Sequence, residues 1–211
     1  MIKYFVGIAV VVLLAIMGWY VVTNGNAAPA PAPVTGPAQA ATSTYATSTF
    51  SVVYPSDFTT DSTYQYTQVD PKKPISGVKF TIPGAMATGT NLASDTYVSV
   101  EQLPRAKNCT GDIYLADNVK AASESYNGVA YSVATTSGAA AGNFYEEAVY
   151  ALAGSSPCTA VRYLLHSMNI GNFEPGVVRE FDRAALLTAF DSIRDSLSLA
   201  ASAPEATGVT P

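Results

Sequence analysis

No charged side chain occurs between Tyr4 and Ser56, and the opening part of that run, Tyr4–Val22, is almost wholly apolar. As a helix it would measure roughly 28 Å at about 1.5 Å per residue, close to the roughly 30 Å hydrocarbon core of a bilayer. Residues 1–22 therefore read as a transmembrane anchor or signal segment, and the chain beyond Val22 is expected to lie across a membrane. The apolar regions of cleaved signal peptides run about 7–15 residues, so the length favours a retained anchor. Ala28-Pro29-Ala30 and Ala38-Gln39-Ala40 are small-x-small triplets at which cleavage would secrete the chain instead. Lys3 before the span, with no charge just after it, predicts a cytoplasmic N-terminus. The expected localisation is a single-pass membrane protein whose C-terminal domain lies outside the cytoplasm, in the periplasm or at the cell surface.

Residues 23–44 read as a linker, built largely of Ala, Thr, Ser and Gly with Pro29, Pro31, Pro33 and Pro37. Alternating Ala-Pro excludes a helix, because each proline lacks an N–H and pushes its predecessor toward extended geometry. Such a segment favours a semi-rigid polyproline II spacer. Residues 201–211 are similarly poor in core side chains and read as a flexible tail. Residues 45–200 remain, an ordinary size for one exported domain.

The formal charge of −5 is spread thinly, and Lys72-Lys73 is the nearest approach to a basic patch. Nucleic acid is therefore not an expected partner, since phosphate binding needs clustered Lys and Arg. The chain has 13 tyrosines, and segments rich in Tyr, Val and Thr predict a strand-dominated domain. Strands are expected at Phe50–Tyr54, Tyr64–Val69, Gly77–Ile82, Tyr97–Glu101 and Val129–Val133, the last entered through Asn127-Gly128 and closed by Ser137-Gly138. Asn143–Leu152 and Cys158–Met168 flank Gly154-Ser155-Ser156-Pro157 and read as a hairpin. Two helices are expected. One covers Asp112–Ala122, with Thr110 as a possible cap. The other carries Leu186, Phe190, Ile193 and Leu197 on one face, with Asp182 as N-cap and Phe181 and Leu186 as a hydrophobic staple. Asp191, Arg194 and Asp195 fall off that stripe. The predicted fold class is α+β, an antiparallel β-sheet covered by helices.

The segments Phe50-Ser51-Val52-Val53-Tyr54-Pro55-Ser56-Asp57-Phe58 and Phe190-Asp191-Ser192-Ile193-Arg194-Asp195-Ser196-Leu197 resemble those that bracket PsbP-like domains. The resemblance covers only the two ends of the domain. It implies a central antiparallel sheet between helices, an αβα sandwich, and non-enzymatic binding, and it carries over no functional residue.

Cys109 and Cys158 are the only cysteines. In an oxidising compartment an even pair predicts a disulfide, and the absence of Cys-x-x-Cys spacing argues against a redox centre. Asn108-Cys109-Thr110 also matches a glycosylation sequon, relevant only to a eukaryotic secretory route. His166 is the single histidine, and no phosphate loop, dinucleotide fingerprint, metal-loop spacing or Gly-x-Ser-x-Gly elbow occurs. No cofactor or metal is expected. With the turn at Gly154–Pro157, Glu147 faces Leu164, and Arg162 and His166 lie two positions to either side on the same sheet face. With Tyr145 nearby, these residues form a candidate polar cluster. Read functionally, it is a pocket for an anion with Arg162 as the fork. Read structurally, it is a cross-strand ion pair on a half-exposed face. Two functions are open to such a chain. The first is a non-catalytic, membrane-tethered binding or structural module for a protein or small ligand, contacting the membrane through Tyr4–Val22. The alternative is an exported hydrolase using Glu147, His166 and a serine.

Overall fold

The computed structural model describes residues 41–200. The expected span Tyr4–Val22, most of the linker and the tail after Ala200 lie outside these residues. No helix among the described residues is long and apolar enough to cross a membrane. Eleven strands run through the described chain: β1 (Thr42–Ala46), β2 (Phe50–Pro55), β3 (Thr59–Asp61), β4 (Gln65–Tyr66), β5 (Ile75–Thr81), β6 (Tyr97–Leu103), β7 (Ala122–Tyr126), β8 (Val129–Ala140), β9 (Asn143–Leu152), β10 (Cys158–Met168) and β11 (Ser198–Leu199). The helices are α1 (Gly84–Ala87) and α2 (Arg183–Asp195), with 3-10 turns at Gly111–Tyr114 and Ile170–Asn172.

Every strand pair is antiparallel. A small sheet has the order β1-β2-β11, and a large one runs β3-β5-β6-β10-β9-β8-β7, with β4 also pairing β5. This corrects the predicted α+β class and the αβα sandwich implied by the PsbP-like resemblance: the domain is predominantly antiparallel β. Helical cover comes mainly from α2, because α1 is a single turn with no fully buried residue that adds only the partly buried Met86 and Ala87 to the same core.

The expected helix Asp112–Ala122 does not form, and the reason is tertiary. The Tyr114 carbonyl, which an α-helix would use internally, instead accepts a hydrogen bond from Arg162 Nη2 at 2.7 Å. Tyr114 closes a single 3-10 turn and Leu115 already has extended backbone, with φ −108° and ψ 147°, and both side chains are buried. The segment makes one 3-10 turn, and its end becomes edge strand β7. Gly111 allows the close approach, since a Cβ there would stand 2.7 Å from the Ala134 nitrogen and 2.8 Å from the Ser132 carbonyl oxygen.

Three strand boundaries also differ. β1 occupies the end of the predicted linker, where Thr42-Ser43-Thr44-Tyr45 has left the prolines behind and pairs with β2. The expected strand Tyr64–Val69 shrinks to Gln65–Tyr66. β8 continues through Ser137-Gly138 and turns at Ala141-Gly142, where both residues have positive φ, 50° and 80°. The Asn127-Gly128 turn does form, joining β7 to β8.

The large sheet buries its two faces differently. Val78, Phe80, Val98, Val100, Val161, Tyr163 and Leu165 meet Leu186, Phe190 and Ile193 of α2, with Phe50 and Val52 of the small sheet. Asp182 caps α2 by accepting the Ala185 N–H at 2.9 Å, and Phe181 packs on the same core. On the opposite face Tyr66, Tyr114, Leu115 and Cys158 cover one end of the strands. The other end stays open and forms the site.

Candidate functional site

The β9–β10 register is the one the turn predicts, with Leu164 opposite Glu147 and His166 opposite Tyr145. Arg162 lies opposite Ser99 on β6 and Val149 on β9, so Glu101 and Glu147 are its diagonal neighbours on either side. Its Nε donates to Glu101 Oε1 at 2.8 Å and its Nη2 to Glu101 Oε2 at 3.0 Å, a two-point fork. Nη1 donates to Glu147, which also accepts the Tyr66 hydroxyl, and the Tyr66 ring lies 3.5 Å from the guanidinium carbon. Arg162 and Glu101 are both 0% exposed, so this is a buried ionic centre and not the half-exposed pair expected from alternation. Burial alone would lower the Arg162 pKa. Glu101, through charge and hydrogen bonds, more than offsets this, and the guanidinium is held further above its ordinary value.

The predicted polar cluster therefore divides. Arg162 and Glu147 belong to the ionic centre, where the guanidinium faces protein groups on all sides and is not a fork for an incoming anion. His166 and Tyr145 form a second unit, their rings stacked at 4.4 Å between centroids. His166 Nδ1 lies 2.7 Å from Asp95 Oδ1 and its Nε2 lies 3.0 Å from Asn143 Oδ1. Both ring nitrogens thus face protein oxygens.

Above Leu164 the uncovered part of the sheet becomes an open cleft of about 750 Å³. Lys79, Tyr97, Tyr145 and Glu147 line it from three further strands, and Asp95 stands at its margin. The Lys79 ammonium is 3.9 Å from Asp61 and lies 5.3 and 5.6 Å from the ring centroids of Tyr64 and Tyr97. Those two phenols are joined at 2.7 Å, and burial pushes both up from the ordinary tyrosine value. The cleft thus combines a cation, aromatic walls and an apolar floor, underlain by ion pairs that fix the position of its carboxylate.

Cys109 and Cys158 form the predicted disulfide. It ties the segment before the first 3-10 turn to the start of β10, where the Tyr114 hydroxyl donates to the Cys158 carbonyl at 2.8 Å. No group of His, Cys, Asp and Glu capable of holding a metal ion occurs among the described residues.

Lys79, Tyr97, Asp95, Glu101 and Tyr66 escape the sequence reading. Glu101 had a signal: it is a lone charge in the otherwise uncharged strand Tyr97–Leu103, on the parity of Tyr97 and Ser99. The others depend on pairings distant in the chain. Comparison with protein-family models and with curated proteins finds no match to this chain.

Proposed function

We propose that this chain is a membrane-tethered, extracytoplasmic binding module without catalytic activity, and that its ligand site is the cleft over β5, β6, β10 and β9. The observation that carries this reading is the prior engagement of the candidate catalytic groups. A general base or nucleophile needs a lone pair or proton directed at substrate within hydrogen-bond reach. The Glu147 carboxylate is held by Arg162 and Tyr66, and the His166 nitrogens face Asp95 and Asn143. What remains toward the opening is Tyr97, Tyr145, Leu164 and the Lys79 ammonium. That surface suits a small polar ligand that stacks on a ring and offers an acceptor to a lysine. The disulfide supports an oxidising compartment. The uncharged segment Tyr4–Val22 supplies the tether.

The alternative, an exported hydrolase, draws on one observation: a carboxylate, Asp95, holds His166 beside the cleft. The two readings separate in one experiment on the full chain in a nonionic detergent. Esterase, peptidase and glycosidase substrates are expected to show no turnover. A thermal-shift screen of sugars and amino acids is expected to find ligands whose effect disappears in Lys79→Ala and Tyr145→Ala. Turnover that vanishes with His166→Ala or Glu147→Gln, in variants with native circular dichroism, would overturn the binding reading.

A further inference from the structure

Ten Lys and Arg residues fall among the described residues, and four of them (Lys79, Arg162, Arg183 and Arg194) have a carboxylate within ion-pair distance. Three of the remaining six, Lys73, Arg105 and Lys107, line a single groove of about 960 Å³. They come from two loops, one leading into β5 and one leaving β6, so the clustering arises from the pairing of those strands. The groove lies at the opposite end of β5 and β6 from the cleft, which opens beside Lys79 and Tyr97. In a chain of net charge −5, three cations without carboxylate partners around one concavity form a local field opposite to that of the whole molecule.

The floor between them is apolar. Leu103 and Ile113 are half-buried and pack on the core around Tyr114 and Cys158. Asp112 also lines the groove but has no cation within ion-pair distance. The walls are stiff: Pro74 and Pro104 restrict the two loops, and the Cys109–Cys158 disulfide anchors the segment that carries Arg105 and Lys107. Pro74, Leu103 and Pro104 also line a second, separate groove that holds Tyr45 and Phe50. The cationic concavity, at about 960 Å³, is roomier than a single small anion needs.

We propose that this groove is a docking site, separate from the cleft, for an extended acidic peptide segment of a partner protein. Its carboxylates pair with Lys73, Arg105 and Lys107 while alternate side chains rest on Leu103 and Ile113. Charge complementarity selects an anionic occupant. The volume and apolar floor select an extended chain over a small anion, since successive residues of such a chain point alternately toward and away from the surface. A groove held rigid by proline and disulfide loses little conformational freedom on binding.

The test uses the full chain in nonionic detergent and fluorescence anisotropy of a fluorescein-labelled peptide of alternating Glu and Val. The same peptide with Gln for Glu is the neutral control. The acidic peptide is expected to bind, to bind at least about tenfold more tightly than the Gln peptide, and to weaken as salt is raised from about 50 to about 300 mM. R105E/K107E is expected to weaken binding at least about tenfold with an unchanged melting temperature and an intact disulfide. K120E/R179E makes the same change in net charge outside the groove and is expected to leave the affinity within about twofold. Equal affinity for the two peptides, equal loss in both double variants, or no binding at millimolar protein would overturn the proposal. So would binding only to phosphatidylglycerol vesicles, lost in R105E/K107E, because the occupant would then be a lipid surface.

Discussion

The Tyr163 hydroxyl donates a hydrogen bond to Asp191 Oδ1 at 2.9 Å, so a side chain on the wet margin of α2 fixes a ring buried in the core. The same oxygen accepts from Arg194 Nη1 at 2.8 Å. Helical periodicity alone marks Asp191 as a free surface residue; the structure makes it the polar anchor of the helix. Asp191→Ala is therefore expected to cost about 1–2 kcal/mol, since a largely buried phenol loses its acceptor. Phe190→Ala should cost more, about 3–5 kcal/mol, for deletion of a fully buried ring. Urea unfolding of both variants checks the pair, and a negligible effect of Asp191→Ala would remove the anchoring role.

Arg162 and Glu101 are expected to be strongly coupled. Arg162→Met leaves Glu101 buried without its counter-ion, and Glu101→Gln leaves the guanidinium short of its main partner. Each single variant should lose about 3–5 kcal/mol. The double variant should lose less than the sum of the two, because apolar and neutral replacements of a buried pair are often tolerated. Strict additivity in a denaturation cycle would contradict the geometry described for this centre.

Alkylation of the native, unreduced protein is expected to label neither Cys109 nor Cys158. The double variant Cys109→Ser/Cys158→Ser should be less stable by about 2–4 kcal/mol, the usual range for a disulfide, whose upper end is what the chain-entropy account gives for a loop of this length. It should also loosen the groove that carries Arg105 and Lys107. Quantitative labelling of both thiols in folded protein would rule out the bridge.

Burial raises the phenol pKa of Tyr64, Tyr66, Tyr97, Tyr114 and Tyr163. Each raised value means that the native state keeps a proton that the unfolded state releases near pH 10. The associated stability is complete below about pH 10 and falls as pH rises toward the folded values. Absorbance at 295 nm should reveal these five phenols titrating only as the protein unfolds, with the urea midpoint declining above pH 10. Titration of all thirteen tyrosines near pH 10 in folded protein would refute this.

The hairpin β9–β10 was legible in residue order. Its turn residues, strand ends and register all follow from Gly154–Pro157 and from alternation on either side. So was α2, where a capping Asp182 precedes an apolar stripe at helical spacing. The failures share a physical cause: a distant partner overrode a local preference. Tyr114 gave its carbonyl to Arg162 and left the helical path, turning a predicted second helix into a 3-10 turn and a stretch of extended chain. Ser137-Gly138 looked like a turn, yet it remains in a ladder with Glu146 and Tyr145. Arg162 and Glu147 were found, but not their enclosure, because Glu101 reaches them from β6 across 61 residues of chain. The cleft depended on β5 meeting β6 and on the exposed end of the sheet having no cover, neither of which is written in any local pattern.

The ionic centre also has a consequence for descent. One guanidinium on β10 answers to carboxylates on β6 and β9, so a change at one of the three positions is felt at the other two. A lineage that loses Arg162 first passes through a form with a stranded buried charge, and one that loses Glu101 first passes through the converse. Either intermediate sacrifices several kcal/mol before an apolar replacement can restore it. Among homologues, Arg162 and Glu101 should therefore be retained together or exchanged together, giving the centre the character of a ratchet. It keeps its charges even where no ligand ever touches them.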